Sequence, residues 1–323
     1  MFTGPAGRSV RVGLDVGGTK TDAVALAPDG ALLGRLRRPT GFGPDAVVQG
    51  ILEAVSALAD EGGFAIGDIE SVGVGIPGMI ENGTGRVLHA VNLGVDSLDI
   101  AARAQSAIGA RFAVENDVKA AALGAASLRH DGASMAYLNL GTGVAAGIVV
   151  GGRIWRGAHG TAGEVGHVSV DPHGRICGCG QRGCVETLCG GGALAKAWGR
   201  PGALPVRDIF DAAETGDPQA LALRRDLARG AAAAVRLLVL SVDVERVMIG
   251  GGLTALGVRL YTDLLAAIRE DAATSPFMRS LRLDERIELL PAGSPVAAIG
   301  AALLGDHAAA DHPTPEKETA AHG

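Results

Sequence analysis

The chain has 323 residues, of which 47% are apolar and 20% charged, and its formal net charge is −6. This length predicts about two domains, and the acidic balance excludes the basic surface typical of a nucleic-acid-binding protein. The segment from Met1 to Ser9 has no apolar stretch like that of a secretory signal, and no apolar run reaches the ~20 residues that span a bilayer. A cytoplasmic location without membrane or nucleic-acid partners is therefore expected.

Apolar runs and turn signals predict alternating strands and helices in the first half of the chain. The predicted strands cover residues 11–16, 20–26, 31–38, 71–76 and 112–114. The predicted helices cover residues 45–61, a segment that begins at Ser97, and residues 118–127. This alternation is typical of an α/β domain.

The second half begins in the same way, because strands predicted at 135–140 and 144–150 again flank a glycine turn. The predicted elements that follow are a loop-rich segment at 159–184, a helix at 217–241, strands at 244–249 and 286–291, and a helix at 297–304. Two related α/β halves with a cleft between them are the simplest arrangement for this weak repeat of topology.

We expect the first domain to span residues 1–117 and the second, which contains the loop-rich segment, to span residues 118–296. The C-terminal helix, at about 297–305, should pack back on the first domain. Residues 306–323 are rich in Ala, His, Pro and charged residues, and this composition predicts a disordered tail.

Three glycine turns, each directly after an apolar strand, suggest phosphate binding. In the first, Asp15-Val16-Gly17-Gly18-Thr19-Lys20, glycines let the backbone approach a phosphate, the Thr19 hydroxyl and backbone N–H groups can bind an anion, and Asp15 can hold Mg²⁺. A plain glycine hairpin with an aspartate in its turn explains the same motif. A glycine turn after an apolar strand occurs again at Gly141-Thr142-Gly143 and at Gly250-Gly251-Gly252. Three such turns are stronger evidence for phosphate binding than one.

Asn116 and Asp117 follow a strand and begin a helix. An aspartate at this position is a good N-cap, worth ~1 kcal/mol to the helix. It can also accept the proton of a substrate hydroxyl during phosphoryl transfer. These residues by themselves favour the cap, and the two roles are compatible.

Three of the four cysteines lie between Cys177 and Cys184, close after His167. In a cytoplasmic protein such a cluster indicates a metal site before a disulfide. His167, Cys177, Cys179 and Cys184 supply the one imidazole and three thiolates of a closed tetrahedral site, so a structural zinc is expected. The simpler alternative is three reduced cysteines in a loop. Cys189 falls outside the ligand set and should be buried.

Together these motifs resemble the ROK family of bacterial sugar kinases and sugar-responsive repressors, within the actin, hexokinase and heat-shock ATPase superfamily. The resemblance runs from Val10 to about Leu304 and includes the segments 15–20, 75–78, 115–117, 140–143, 163–167, 177–186 and 250–252. It implies an α/β, two-domain actin-like ATPase (ribonuclease H-like) fold with an interdomain cleft. It also implies an ATP-dependent, glucokinase-like hexose kinase that phosphorylates the 6-hydroxyl, and a homodimer or homotetramer.

The resemblance also implies a role for each matching residue, with Asp117 as the general base. The expected sugar-binding residues are Gly78, Asn92, Asn116, Asp117, Glu164, His167 and Glu186. The expected ATP- and Mg²⁺-binding residues are Asp15, Gly17, Gly18, Thr19, Lys20, Gly141, Thr142, Gly143 and Gly251. His167 would use one ring nitrogen for zinc and the other for the sugar.

One departure from the family leaves the sugar open. Many family glucokinases have Gly-Trp after Asn-Leu, whereas Asn92-Leu93 is followed here by Gly94-Val95. N-acetylmannosamine, N-acetylglucosamine, mannose and fructose are therefore alternatives to glucose, and polyphosphate is an alternative to ATP. A non-catalytic sugar sensor and a polymerising actin-like ATPase are further alternatives. A DNA-binding repressor is not expected, because Asp15 lies too near the N-terminus for the repressors' extra domain.

Overall fold

The computed structural model describes residues 9–81, 84–129 and 131–311, with the backbone alone for 306–311. The chain folds into two compact units. The first unit comprises the described residues up to Asp117 together with those from Ala298 onward, and the second comprises Val118–Ala297. Each unit contains a five-stranded sheet with helices packed against it.

The strands, in chain order, are β1 (Val10–Val16), β2 (Lys20–Leu26), β3 (Leu32–Pro39), β4 (Ile69–Ile76), β5 (Met79–Ile80), β6 (Val87–Ala90), β7 (Val95–Leu98), β8 (Arg111–Asn116), β9 (Met135–Leu140), β10 (Val144–Val150), β11 (Arg153–Ile154), β12 (Arg246–Gly250) and β13 (Ile287–Leu289). The α-helices are α1 (Pro44–Gly62), α2 (Ile100–Ile108), α3 (Asp117–Ser127), α4 (Val185–Cys189), α5 (Gly191–Trp198), α6 (Pro205–Glu214), α7 (Pro218–Val242), α8 (Val258–Ala273), α9 (Pro276–Ser280) and α10 (Val296–Asp311). Short 3₁₀ turns lie at Ile66–Asp68, Val91–Leu93, Val165–His167, Gly252–Leu256 and Leu283–Glu285. Within the described ranges, no helix combines the length and the apolar character needed to cross a bilayer.

The two main sheets repeat one topology. Their strand orders are β3-β2-β1-β4-β8 and β11-β10-β9-β12-β13. In each sheet the first three strands of the chain are antiparallel neighbours, and the last two run parallel to the first. The carboxyl ends of the parallel strands therefore share one edge of their sheet, which is where α/β proteins place ligands. The α/β class and the repeat expected from the sequence are confirmed.

Two glycines bring α10 onto the first sheet. Gly13 in β1 and Gly73 in β4 are register partners on neighbouring strands. A Cβ on Gly73 would lie 1.7 Å from the carbonyl oxygen of Ala301, and a Cβ on Gly13 would lie 2.0 Å from that of Ala298. Any side chain at either position would push the helix off the sheet, because protein interiors absorb added volume only by shifting backbone.

Helix α7 lies in the core of the second unit. Its buried positions recur at helical spacing and include Leu227, Ala231, Val235 and Leu238. Gly230, on the same helix, leaves room for α4, because its Cβ would lie 2.7 Å from the Cβ of Leu188 and 3.0 Å from that of Cys189. Cys189 is fully buried, as the sequence predicted. This close packing fixes α4, the helix that follows the cysteine loop.

The helix predicted to begin at Ser97 was placed wrongly. Ser97 lies in β7, which pairs with β6 in a small three-stranded sheet of β5, β6 and β7. Helix α2 begins at Ile100, after Asp99 accepts a hydrogen bond from the backbone N–H of Ala102 at 2.9 Å. Serine and aspartate are both good N-caps, and the pairing of β7, which local sequence does not show, decides between them.

The predicted disordered tail at 306–323 begins inside α10. The helix continues through Asp311, and the alanines within residues 306–311 favour this continuation because alanine has the highest helix propensity. Residues 312–323 lie outside the described part of the chain.

Candidate active site and metal centre

The carboxyl edge of the first sheet brings together several predicted residues. Asp15 near the end of β1 pairs with Gly75 of β4, and Ile76 of β4 pairs with Asn116 of β8. The side-chain amide of Asn116 donates a hydrogen bond to the carbonyl oxygen of Gly78 at 3.3 Å. Three parallel strands thus deliver an aspartate, an asparagine amide and a half-buried glycine backbone to one edge.

Asp117 is the first residue of α3, directly after β8, and its charge acts on Asp15. The pKa of Asp15 is raised from 3.8 to about 7, chiefly by burial and then by the negative charges of Asp117 and Asp22. Lys20 and Arg37 offset part of this effect. A carboxyl group with such a pKa keeps its proton at a pH near 7 unless a cation takes the place of that proton. This environment suits a Mg²⁺ ligand.

The first glycine turn has Asn92 as a neighbour. The turn is closed by a hydrogen bond from the N–H of Gly17 to the carbonyl oxygen of Lys20 at 3.0 Å. A Cβ on Gly18 would lie 3.2 Å from the Cβ of Asn92, so the asparagine packs directly on the turn. Thr19 and Asn92 are both exposed and available to a ligand.

The second and third glycine turns follow β9 and β12, which are neighbouring parallel strands. The start of α5 holds the second turn, since the N–H groups of Gly191 and Gly192 donate to the carbonyl oxygens of Gly141 and Thr142 at 2.8 and 2.9 Å. In the third turn Gly251 has a φ of +88°. Its Cβ would lie 2.5 Å from the carbonyl oxygen of Leu140, so only glycine fits there.

Asn139, which the sequence analysis missed, lies between these two turns. Its Nδ2 is 3.2 Å from where a Cβ on Gly141 would be, and its Oδ1 is 2.6 Å from where a Cβ on Gly251 would be. The side chain therefore fills the space that two glycines leave free. Asn139 is the next-to-last residue of β9, as Asp15 is of β1, and this shared position was the available signal.

Glu186 connects the cysteine loop to the second glycine turn. It lies in the first turn of α4, two residues after Cys184. Its Oε2 accepts a hydrogen bond from the N–H of Val144 at 2.9 Å, and it occupies space that a Cβ on Gly143 would need, 2.7 Å away. A proposed sugar ligand and a proposed phosphate turn are thus in direct contact.

Two glycines allow the segment that carries Glu164 and His167 to pack closely on β10. A Cβ on Gly163 would lie 1.9 Å from the carbonyl oxygen of Ala146, and a Cβ on Gly166 would lie 1.9 Å from that of Val144. The intervening 3₁₀ turn leaves Glu164 exposed and His167 half-buried. The two glycines of the Gly-Glu-Val-Gly-His pattern are therefore a steric requirement of this approach.

The structure brings the four predicted metal ligands together. The ligand atoms of His167, Cys177, Cys179 and Cys184 all lie within 4.8 Å of one another. Cys177 Sγ is 3.7 Å from His167 Nδ1, and the sulfurs of Cys179 and Cys184 are also 3.7 Å apart. Ligands at ~2.3 Å from one tetrahedral ion are ~3.8 Å apart, so this arrangement fits a metal ion.

The cysteine loop is a tight hairpin. Its turn is closed by a hydrogen bond from the N–H of Gly180 to the carbonyl oxygen of Cys177 at 3.0 Å. At Gly183, φ is +72° and a Cβ would lie 1.6 Å from the carbonyl oxygen of Asp171. Hydrogen bonds from Gln181 lower the pKa of Cys179 to about 6, whereas burial raises that of Cys184 to about 12. A metal ion would have to displace the Cys184 proton.

Two basic residues that the sequence analysis missed support this region. Lys119 in α3 is buried and donates to the carbonyl oxygen of Gly160 at 2.7 Å, just before the Gly163 segment. Arg175 donates through Nε to the carbonyl oxygen of Thr187 at 3.0 Å and through Nη1 to Asp226 at 3.0 Å. Arg175 therefore ties the hairpin to both α4 and α7. Only the fold shows these partners, because they are 12 to 51 residues apart in sequence.

Each unit by itself thus collects its share of the predicted residues. The first unit gathers Asp15, Gly17, Gly18, Gly78, Asn92, Asn116 and Asp117. The second gathers Gly141, Thr142, Gly143, Gly251, Glu164, Glu186 and the four metal ligands. The first set offers carboxyl groups that can hold a proton or a cation. The second places the Glu186 carboxylate between a glycine turn and the four candidate metal ligands.

Comparison with known proteins identifies the family of this chain. Residues 11–307 match the ROK family. A glucokinase from Halalkalibacterium halodurans is 32% identical over 267 residues, which cover 76% of this chain and 81% of the relative. An N-acetylmannosamine kinase from Escherichia coli is also 32% identical, over 268 residues, which cover 81% of this chain and 88% of the relative.

A crystal structure of a ROK family glucokinase from Streptomyces griseus, in complex with glucose and AMPPNP, superposes with a TM-score of 0.73. Its sequence is 28% identical, and the match covers 92% of this chain and 99% of that one. The fold is therefore that of the actin-like ATPases, as the sequence predicted. With a family match over nearly its whole length, the chain belongs to the ROK family.

Proposed function

We propose that this chain is an ATP-dependent sugar kinase that phosphorylates the 6-hydroxyl of a hexose, with Asp117 as the general base. The observation that carries the proposal is the meeting of Asp15, Asn116 and Asp117 at the carboxyl edge of one sheet. Phosphoryl transfer requires mainly positioning and charge neutralisation, and this edge offers groups for both.

In this mechanism the residues of the sheet edge position the sugar hydroxyl. The Asn116 amide, oriented by the Gly78 carbonyl at 3.3 Å, is proposed to bind a neighbouring hydroxyl. Asp117 then accepts the proton of the attacking oxygen as that oxygen bonds to the γ-phosphorus of ATP. The bond between the γ-phosphorus and the β,γ-bridging oxygen breaks, and ADP leaves. Glu164, His167 and Glu186 of the second unit are proposed to bind further sugar hydroxyls.

The glycine turns are proposed to bind ATP. Gly17, Gly18, Thr19 and Lys20 offer N–H groups, a hydroxyl and an ammonium group, and Gly141, Thr142, Gly143 and Gly251 offer backbone that phosphates can approach. Asp15 is suited to hold Mg²⁺, which when bound neutralises phosphate charge. The raised pKa of Asp15 supports this role, since a buried carboxylate without a cation is unfavourable.

We further propose that the metal is zinc and that it is structural. One imidazole and three thiolates complete a tetrahedron and leave no open position for chemistry. Because Nδ1 of His167 faces the sulfur of Cys177 at 3.7 Å, Nε2 is the nitrogen that can contact the sugar. The homodimer or homotetramer and the cytoplasmic location stay predictions, and so does the choice of ATP over polyphosphate.

Glucose is the first sugar to test, and N-acetylmannosamine is the second candidate. The two relatives named for these sugars are equally similar to this chain, at 32% identity. Mannose, fructose and N-acetylglucosamine complete the panel. An ADP-release assay across these sugars would rank them, and 6-deoxyglucose should not react if the 6-hydroxyl is the acceptor. Sugar binding without ADP release would instead favour a sensor.

The substitution Asp117→Asn separates the two roles open to this residue. Asp117 is the first residue of α3, so the cap position is Asn116. Asparagine is nearly the same shape as aspartate, and its substitution at a purely structural Asp117 would leave activity unchanged. A general base would be lost, and kcat should fall by about 10³ with an unchanged melting temperature. The matched control is Asp99→Asn at the N-cap of α2, which should keep full activity. Normal turnover in the Asp117→Asn variant would remove the base assignment.

A further inference from the structure

Phe42 is an exposed aromatic residue in the first unit. It lies in the loop between β3 and α1, and 75% of its surface is exposed. Its ring covers the backbone of Gly94, because a Cβ on that glycine would lie 2.5 Å from a ring carbon. Single exposed apolar residues are common and need no explanation, so its surroundings decide whether it has a role.

Backbone hydrogen bonds hold the Phe42 loop between two segments of the proposed site. The N–H of Gly43 donates to the carbonyl oxygen of Leu93 at 2.7 Å, next to Asn92. The N–H of Thr40 donates to the carbonyl oxygen of Thr19 at 3.1 Å, in the first glycine turn. Phe42 is therefore anchored on both sides, and its ring is exposed although its backbone is fixed.

A second apolar side chain adjoins the same segment. Val91, directly before Asn92, has 79% of its surface exposed. Asn92 in turn packs on Gly18, with 3.2 Å between the asparagine Cβ and a Cβ placed on the glycine. The segment thus presents a polar amide flanked by exposed apolar surface, which is the composition of a site for a ligand with both C–H and O–H groups.

We propose that Phe42 is a specificity-determining residue that packs its ring on the C–H face of the hexose bound at Asn92. This proposal rests on the kinase function proposed above. A pyranose with mostly equatorial hydroxyls presents a flat face of axial C–H groups, and an aromatic ring buries that face without leaving a hydroxyl unpaired. The favoured substrate class is therefore an aldohexopyranose, ahead of a ketohexose in its furanose form.

Steady-state kinetics of Phe42→Ala with glucose as the probe test this role. The KM for glucose should rise about three- to tenfold, since one aromatic contact contributes roughly that factor. The kcat should stay within twofold and the KM for ATP should not change. Phe42→Trp should restore the glucose KM. The matched control is Phe277→Ala, because Phe277 lies in α9 of the second unit with 61% of its surface exposed.

Three results would overturn the assignment. The first is an unchanged glucose KM in Phe42→Ala, and the second is a rise in the KM for ATP instead, which would place the ring at the nucleotide. The third is an equal rise in glucose KM for Phe277→Ala. Calorimetric titration with glucose in the absence of ATP measures sugar binding alone, and so tests the Phe42 contact separately from the kinase function. A wild-type protein that binds glucose without transferring phosphate would contradict the kinase function, and the affinity loss in Phe42→Ala would still support the Phe42 contact.

Discussion

The β1–β2 and β9–β10 hairpins occupy equivalent places in the two sheets, and they differ at one chemically important position. Asp15 and Asn139 are the next-to-last residues of β1 and β9. Each pairs with a glycine on the neighbouring parallel strand, Gly75 and Gly250 respectively. The first hairpin thus carries an acid whose pKa is raised to about 7, and the second carries a neutral amide.

This difference shows how one backbone arrangement can serve two purposes. An acid near other carboxylates can bind a proton or a cation. An amide has two N–H donors and a carbonyl acceptor at every pH, so it can face phosphate oxygens without repulsion. Under the proposed function, Asp15 holds the cation on the first hairpin, whereas Asn139 on the second hairpin faces the phosphates with a neutral group.

Substituting these two residues separately tests this division, and Asp15→Asn should give the largest effect among the tests of this comparison. Asp15→Asn should lower kcat at least ~10²-fold, since a ligand of the cation is lost. Asn139→Asp should raise the KM for ATP about tenfold through repulsion of the phosphates, with the glucose KM within twofold. Steady-state kinetics with both substrates measure these changes. Asp29→Asn in the β2–β3 turn is the control, and wild-type kcat in Asp15→Asn would contradict the division.

The second difference between the units is the loop that carries the four candidate metal ligands, and loss of the proposed metal should have an intermediate effect. Elemental analysis should find about one zinc per chain in the wild type. Cys184→Ala should remove most of that zinc and lower kcat/KM for the sugar by about 10- to 100-fold, because the orientation of His167 and Glu186 depends on the loop. Cys189→Ala, a buried cysteine outside the ligand set, should keep its zinc. A zinc-free wild type with full activity would rule out this account.

The smallest expected effect is the pH dependence of stability caused by Asp15. Its pKa rises from 3.8 in the unfolded chain to about 7 in the fold, so the folded state binds the proton more tightly. The free energy of unfolding should therefore fall as pH rises between about 4 and 7, by at most about 1.4 kcal/mol per pH unit. Denaturant titrations of wild type and Asp15→Asn between pH 5 and 6.5, without Mg²⁺, measure it. Asp15→Asn should show a shallower slope, and identical slopes would refute the prediction.

Much of this fold was predictable, because its strands are short apolar runs bounded by glycines. The strands at 135–140 and 144–150 were predicted to the residue. The clustering of the four candidate metal ligands was also predictable, because donor type and spacing are local properties. The sequence analysis wrongly took Ser97 as the start of a helix, because serine is a common helix cap. The local sequence gives no sign that the chain at Ser97 pairs with β6.

The sequence by itself determined most strands of the two main sheets, the glycine turns, the candidate ligand set and the family resemblance, since each depends on neighbours within a few residues. Only the tertiary structure decided that Asn139 fills the space beside Gly141 and Gly251, and that Arg175 braces α4. It also decided that Asp15 shares its edge with Asp117. Asn139 and Gly251, like Asp15 and Asp117, lie far apart along the chain. The energies of such contacts depend on burial and distance, which no local pattern encodes.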